Sequence, residues 1–265
     1  MPEVAMRDGI TLYYEEKGGG NKPLIFIHPP LMGHVVFKYQ YELSGEFRCF
    51  FYDLRGHGRS GYNDTPHLQT EAILERHTND LLELINHLDL KQVTLVGYSA
   101  AGMLALHFAI NFPERVHSLI LSGGFPKVDT WLLKQQFYVG IQLMRRNKRD
   151  FLAKGLALSH KLTLADFKEL YQYGQKSRVL EVQALYEAYL QYDCTPALDS
   201  LTDIPILILY GSLSRHIRAH YSLFQSNLPT AKIVVIEKAF HELPTRSHLL
   251  FNHIVRQFLR DIACG

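Results

Sequence analysis

Hydrophobic and polar positions follow two alternating periods along this chain. Apolar residues at helical spacing predict helices over residues 78–90, 101–112 and 249–262. Short apolar runs predict strands at 10–16, 24–27, 47–52, 93–96, 116–121, 204–209 and 232–236. Alternating strands and helices predict a mainly parallel sheet covered on both faces. Sites in such sheets form at the carboxyl ends of the strands.

The segment 125–201 interrupts this alternation because it contains no clear strand. Its periodicity predicts helices over 131–143, 151–158, 165–173 and 180–192. We therefore expect a core made of residues 1–124 and 202–265, with a helical insertion at 125–201 over the active face. The insertion is rich in aromatic residues. Most of these should pack within the protein, and Trp131, Phe137 and Tyr138 are candidates for an apolar pocket.

Composition excludes several classes of protein. The 265 residues carry a formal net charge of +2, and the basic cluster at 145–149 is more typical of a solvated helix end than of a nucleic-acid site. Cys49, Cys194 and Cys264 have neither disulfide nor metal spacing, which favours a reducing compartment. With no signal peptide and no apolar run of ~18–20 residues, we expect a cytoplasmic protein without a membrane partner. The sequence does not indicate an oligomeric state.

The most informative motif is Q-V-T-L-V-G-Y-S-A-A-G-M at residues 92–103. A buried strand, Gly97, Ser99 and a run of small residues that opens a helix are typical of a nucleophile elbow. Ala101 takes the place of the second glycine in G-x-S-x-G. A serine before a helix is more often a simple cap, so the surrounding sequence must decide between the two interpretations.

Motifs along essentially the whole chain resemble the α/β-hydrolase superfamily. In the family's order they are the strand at 24–28, the D-x-x-G-x-G-x-S loop at 53–60, the elbow at 97–101, F-P-E-R-V at 112–116, the strand at 205–211 and A-F-H at 239–241. The resemblance implies an α/β fold of the α/β-hydrolase type. Such a fold has a mostly parallel eight-stranded sheet, helices on both faces and a helical cap formed by the insertion.

The resemblance also assigns chemical roles. His241 matches the family's base, which would take the proton of the Ser99 hydroxyl. The backbone N–H of Ala100 should provide one oxyanion-hole donor. The second donor normally follows the first core strand, but that position is Pro30, which has no N–H. We therefore expect Leu31 to donate instead, with Pro30 and Tyr98 near the substrate.

The triad acid is missing from its usual place after the seventh strand, where this chain has Ser214. A carboxylate from elsewhere is one solution, and Asp129, shortly after the sixth strand, is the candidate. Glu237 and Glu242 are close to His241 in sequence, but such neighbours rarely face the same ring. Alternatively, Ser99 and His241 form a dyad whose ring is held by Ser214, or the site serves binding with little catalysis.

A serine at the elbow favours acyl transfer. We expect a serine hydrolase that cleaves a small apolar or aromatic ester or lactone through an acyl-enzyme on Ser99. The alternatives are a weak or inactive ligand-binding homologue, a C–C bond hydrolase and a cofactor-free perhydrolase. The sequence has no phosphate-binding loop and no metal-binding spacing, so we predict neither a cofactor nor a metal, with a small-molecule substrate as the partner.

Overall fold

The computed structural model describes residues 2–63 and 70–264, except for the side chains of residues 70, 71 and 264. Within this part of the chain, the strands are β1 (Glu3–Ala5), β2 (Thr11–Lys17), β3 (Pro23–Ile27), β4 (Arg48–Tyr52), β5 (Val93–Tyr98), β6 (Val116–Ser122), β7 (Ile206–Gly211) and β8 (Lys232–Ile236). All strands predicted from the apolar runs are present. The three-residue strand β1 was too short to give a period.

The strands form one eight-stranded sheet in the order β1-β2-β4-β3-β5-β6-β7-β8. β2 pairs antiparallel with β1 and β4, and all the other pairs are parallel. The predicted fold class is therefore confirmed. Every residue of the central strand β5 is buried, as expected for a parallel strand with both faces covered.

Helices cover both faces of the sheet. They are α1 (Thr70–His87), α2 (Ala101–Asn111), α3 (Trp131–Arg145), α4 (Arg149–His160), α5 (Leu164–Gly174), α6 (Val179–Gln191), α7 (Arg215–Arg218), α8 (Tyr221–Asn227), α9 (Leu243–Arg246) and α10 (His248–Cys264). Three 3₁₀ segments are His34–Gly45, Pro113–Arg115 and Thr195–Leu201. α1 and α2 pack into the core on one face, and α10 packs into the core on the other.

The insertion between β6 and β7 contains α3 to α6, as its periodicity predicts. α3 packs against α6, α4 packs against α5, and α6 contacts α1. β3, β5, β6, β7 and β8 run parallel, so the loops that follow them leave the same edge of the sheet. That edge brings together the loops that carry the predicted site residues.

Candidate active site

Ser99 lies on a sharp turn between β5 and α2. Its φ is +56°, in the left-handed region, which is strained for a residue with a side chain. The turn requires close packing: a Cβ on Gly97 would lie 2.8 Å from Gly102 Cα. The Ser99 N–H donates to Ser122 O at 2.8 Å, which fixes the turn against the end of β6. Ser99 is therefore held in the geometry of a nucleophile elbow.

His241 lies between β8 and α9 and contacts the Ser99 side chain. The distance from His241 Nε2 to Ser99 Oγ is 2.7 Å, so the hydroxyl can donate to the ring. Burial, with a smaller effect of the neighbouring His160 and His216, lowers the pKa of His241 to about 3. The imidazole is therefore neutral at physiological pH and able to accept a proton.

The other ring nitrogen of His241, Nδ1, is buried and has no hydrogen-bond partner among the described residues. The backbone of Gly123 lies against this edge of the ring, because a Cβ on Gly123 would be 2.6 Å from Nδ1. When Nε2 accepts from Ser99, Nδ1 carries the proton, and a buried N–H without an acceptor costs ~1–3 kcal/mol. No group of the described chain selects this productive tautomer.

Ser214, at the family's acid position, is buried at the start of α7. Its backbone N–H donates to Gly211 O at 3.1 Å, and its carbonyl accepts from Ile217 N–H at 3.1 Å. Its hydroxyl makes no hydrogen bond to His241 Nδ1. Ser214 and His241 line the same cavity. The structure therefore places Ser214 beside the site without the predicted contact to the ring.

Asp129 has a different partner from the one expected. Its Oδ1 lies 2.8 Å from Nε2 of His220, and Lys127 lies nearby. Asp129 does not reach the ring of His241, whose Nδ1 makes no hydrogen bond. The prediction of Asp129 as substitute acid is therefore corrected: the turn after β6 directs its carboxylate toward His220.

The loop after β3 is fixed by a buried histidine. His28 Nδ1 lies 2.9 Å from Pro29 O, and His28 Nε2 accepts from Leu54 N–H at 2.9 Å. Leu31 has φ +76°. Its side chain packs into a small apolar cluster with Met144, Ala153 and Val182 of the insertion.

Neither Leu31 N–H nor Ala100 N–H donates a hydrogen bond within the described residues. Both amides therefore remain free to act as oxyanion-hole donors. Pro30 and Ala100 line the same cavity as Ser99. The assignment of Leu31 N–H as the second donor stays a prediction.

A second histidine–carboxylate cluster, besides that of His220 and Asp129, lies away from Ser99 and His241. His34 Nδ1 lies 2.9 Å from Asp53 Oδ1, and Tyr173 Oη of α5 donates to Asp53 Oδ2 at 2.7 Å. His34 Nε2 lies 3.3 Å from Glu15 Oε1. These contacts explain why the D-x-x-G-x-G-x-S motif contains an aspartate. Asp53 joins the motif loop to the 3₁₀ segment and to the insertion.

Charge stabilises this second cluster. Although burial opposes protonation, hydrogen bonds to Asp53 and Glu15 raise the pKa of His34 to about 9. Although burial opposes ionisation, the contacts with His34 lower the pKa of Asp53 to about 2. The pair is therefore ionised at neutral pH.

Ser99 opens into a cavity of about 620 Å³ beneath the insertion. Its walls are mainly apolar side chains from α3, α4 and α6, among them Leu133, Phe137, Leu152, Leu156 and Tyr186. One wall is polar. There Tyr98 Oη lies 2.8 Å from His160 Nε2, while His160 Nδ1 lies 2.8 Å from Leu156 O and so donates to that carbonyl.

Three of the proposed pocket residues line this cavity and two do not. Pro30, Tyr98 and Phe137 contribute to its wall. Trp131 is 74% exposed and Tyr138 is 49% exposed, and both lie on the outer side of α3. The aromatic residues predicted the correct helix, α3. Which of its side chains face the cavity depends on the position of each residue around the helix, and Phe137 lies on the inner face.

Sequence reasoning missed two polar residues of the cavity. His160 ends α4, and no motif distinguishes it among the 14 histidines of the chain. Glu242 follows His241 and was considered only as a substitute acid. Burial raises the pKa of Glu242, against the opposing effects of its own backbone N–H and of Arg246. Its position next to His241 in the sequence was the one feature that could have identified it.

The described residues contain no group of three or more His, Cys, Asp or Glu side chains placed to hold a metal ion. The helices in the same part of the chain are either too short or too polar to span a membrane.

Comparisons with known proteins agree with the fold. A family model described as the alpha/beta hydrolase fold matches residues 22–244. The chain is 24% identical to the putative 2-succinyl-6-hydroxy-2,4-cyclohexadiene-1-carboxylate synthase of Bacillus subtilis (strain 168), over 98% of each chain. An esterase from Exiguobacterium antarcticum has a TM-score of 0.85 at 20% identity, covering 97% of this chain and 98% of that one. A thermophilic esterase from Thermogutta terrifontis has a TM-score of 0.80 at 26% identity, covering 98% of each chain.

The family model covers well over half of the chain. This protein therefore belongs to the alpha/beta-hydrolase family, as its motifs predicted, and is a hydrolase of that family.

Proposed function

We propose that this protein is a serine hydrolase that cleaves small apolar or aromatic esters or lactones. The observation that carries the proposal is the 2.7 Å contact between Ser99 Oγ and His241 Nε2 at a mainly apolar cavity. The strained backbone of Ser99 supports the role of nucleophile, because such strain concentrates at functional sites. The two related esterase structures agree with this class of reaction.

The reaction follows from this geometry. His241 Nε2 takes the hydroxyl proton as Ser99 Oγ attacks the carbonyl carbon of the substrate. The negative charge that develops on the carbonyl oxygen is stabilised by the N–H of Ala100, and we propose Leu31 N–H as the second donor. The protonated His241 then gives its proton to the leaving alkoxide. Water, activated by His241, hydrolyses the acyl-enzyme in the same way.

The missing acid limits this mechanism at the step in which His241 becomes protonated. A triad carboxylate orients the base and stabilises the imidazolium that forms in the transition state. His241 Nδ1 has no such partner, and burial disfavours its charged form. We therefore propose a Ser99–His241 dyad whose turnover is slow compared with that of a complete triad.

The charge of the cavity favours esters over carboxylate substrates. The name of the Bacillus subtilis relative refers to a carboxylate. Setting histidines aside, Glu242 is the only residue with a formal charge among the described residues that line this cavity. A negative side chain repels a carboxylate, so we do not extend the relative's named activity to this chain.

Release of p-nitrophenol from p-nitrophenyl acetate, butyrate and benzoate tests the proposal. We expect turnover by the native protein, and Ser99→Ala should abolish it. Ser159→Ala is the matched control, because Ser159 lines the same cavity and its hydroxyl contacts Leu156 O and His160 rather than His241. Unchanged hydrolysis in Ser99→Ala would contradict the assignment of the nucleophile.

A second candidate function is ligand binding with little or no catalysis, and the unpartnered His241 Nδ1 favours it. A fluorophosphonate probe distinguishes the two functions. A serine hydrolase should acquire one covalent adduct at Ser99, located by peptide mass spectrometry. A protein that neither turns over the esters nor reacts with the probe is a binding protein.

A further inference from the structure

Glu242 occupies an unusual position in the cavity. Its side chain is half-buried and lines the same cavity as Ser99. Among the described residues it forms no ion pair, and the nearby cation Arg246 directs its guanidinium to Ser159 O at 3.2 Å. Carboxylates buried to this degree are usually paired, because desolvation of an isolated charge is costly. An unpaired carboxylate at a binding cavity indicates that its partner arrives with the ligand.

Arg246 compensates the charge of Glu242 only in part, and the other groups that face Glu242 carry no positive charge. Burial raises the pKa of Tyr98, and the charge of Glu242 adds to this rise, which places the carboxylate near the polar wall. Burial lowers the pKa of His160 to about 4, and burial with the nearby His220 also lowers the pKa of His216. With His241 neutral as well, the three histidines of the cavity carry no positive charge at neutral pH.

The carboxylate is also not the missing triad acid. His241 Nδ1 has no hydrogen-bond partner, and the neighbouring charges that affect the pKa of His241 are those of His160 and His216. Glu242 is therefore available for the substrate rather than for the catalytic base.

We propose that Glu242 determines specificity by binding a positively charged group of the substrate, so that the preferred esters are cationic. This inference rests on the proposed function, because the cation would bind beside the acyl group held at Ser99. The apolar walls would hold the remaining carbon skeleton. Neutral esters of the same shape would react more slowly, and anionic esters most slowly, because Glu242 repels them.

Three thioesters of similar size test the proposal: butyrylthiocholine, its neutral isostere 3,3-dimethylbutyl thiobutyrate, and the S-butyryl ester of 2-mercaptoethanesulfonate. Each releases a thiol that a colorimetric reagent detects. We expect kcat/KM for the cationic ester to exceed that for the neutral isostere by about tenfold or more, because the Coulomb attraction between the quaternary ammonium and a carboxylate is strong in a partly desolvated cavity. Glu242→Gln should bring this ratio to about one, and Glu242→Asp should retain part of the preference.

The readout is the ratio of the two kcat/KM values in Glu242→Gln, because misfolding would lower both values together, whereas loss of the cation contact lowers the ratio; circular dichroism checks that the variant is folded. Equal cation preference in the native protein and in Glu242→Gln would overturn the proposal. So would the absence of any preference in the native protein.

If none of the thioesters turns over, the p-nitrophenyl esters decide whether the proposed function fails, and the inference about Glu242 is tested separately by binding. Calorimetry with phenyltrimethylammonium and benzenesulfonate is then decisive. We expect the cation to bind, with its Kd raised about tenfold or more in Glu242→Gln. Absence of cation binding, or an unchanged Kd in Glu242→Gln, would overturn the inference.

Discussion

Two histidines of this protein, His34 and His241, have opposite surroundings. His34 lies between the carboxylates of Asp53 and Glu15, and these contacts raise its pKa to about 9. Among the described residues, the ring of His241 hydrogen-bonds only to the Ser99 hydroxyl, and burial lowers its pKa to about 3. The same side chain is therefore charged in one cluster and neutral in the other, because a carboxylate is present in only one of them.

The comparison shows what the candidate site lacks. The contacts around His34 show that this fold supports a buried histidine–carboxylate pair. At His241 the corresponding acid position is Ser214, which carries no charge. His34 therefore has a structural role, whereas His241 remains neutral, and the imidazolium that it must form during catalysis is poorly stabilised.

The largest effect is expected at the catalytic pair. His241→Gln should lower kcat/KM for p-nitrophenyl butyrate by roughly 10²- to 10⁴-fold, the usual contribution of a general base. Steady-state kinetics measure this effect, and circular dichroism checks that the variant is folded. A loss below threefold would show that His241 is not the base.

At the other histidine the effect should be on stability. Asp53→Asn removes the partner of a buried charge, which typically costs ~3–5 kcal/mol of unfolding free energy. Denaturant titration at pH 7 measures this loss. Lys232 forms an exposed ion pair with Asp261, so Asp261→Asn is a matched control that should cost under ~1 kcal/mol. Equal losses in the two variants would contradict the account of the Asp53 cluster.

The two histidines should give stability an opposite dependence on pH. The folded-state pKa of His34 is raised, so its contribution is complete below pH ~6.5 and is lost as the pH rises toward about 9. The folded-state pKa of His241 is lowered, so protonation of the unfolded chain reduces stability as the pH falls from ~6.5 toward about 3. Denaturant titrations across this range should lose the alkaline decline in His34→Gln and part of the acidic decline in His241→Gln.

An acid at position 214 would give His241 a carboxylate partner, as His34 already has. In Ser214→Asp, a carboxylate at the family's acid position should favour the productive tautomer of His241 and raise kcat. We expect a gain of about tenfold or more, bounded by the ~10⁴-fold loss known for removal of a triad acid. Ser214→Asn is the uncharged control. A lower kcat in the aspartate variant than in the asparagine variant would contradict the assigned acid position.

The smallest effect is expected for Asp129. Because its carboxylate contacts His220, Asp129→Asn should change kcat/KM by less than about threefold, whereas removal of a true triad acid costs ~10⁴-fold. The same p-nitrophenyl ester assay measures it. A large loss would restore Asp129 as the acid and show that the carboxylate moves during turnover.

The fold could be predicted from the sequence because the patterns that indicate its strands and helices are local. The apolar run of β5 and the small residues after Ser99 each depend on neighbouring positions, and both elements formed where the pattern predicted. The order of motifs then placed Ser99 and His241 on loops that leave the same edge of the sheet.

The remaining features depend on contacts between distant segments. Asp129 and His220 are 91 residues apart, and no local pattern shows that they meet. Trp131 and Phe137 belong to the same helix, but only packing decides which side chain faces the cavity. Glu242 was visible as a neighbour of His241, whereas its lack of a partner appears only once the surrounding chain is folded.

The central claim is that Ser99 and His241 form a dyad without a carboxylate. Imidazole ¹⁵N chemical shifts, followed by NMR from pH 3 to 10, test it most directly, with His241 assigned through His241→Gln. The account predicts that His241 stays neutral until the pH approaches about 3, while His34 stays protonated until about 9. Protonation of His241 at pH 6.5 or above, with a strongly hydrogen-bonded Nδ1 proton, would show that a carboxylate holds the ring and would contradict the dyad.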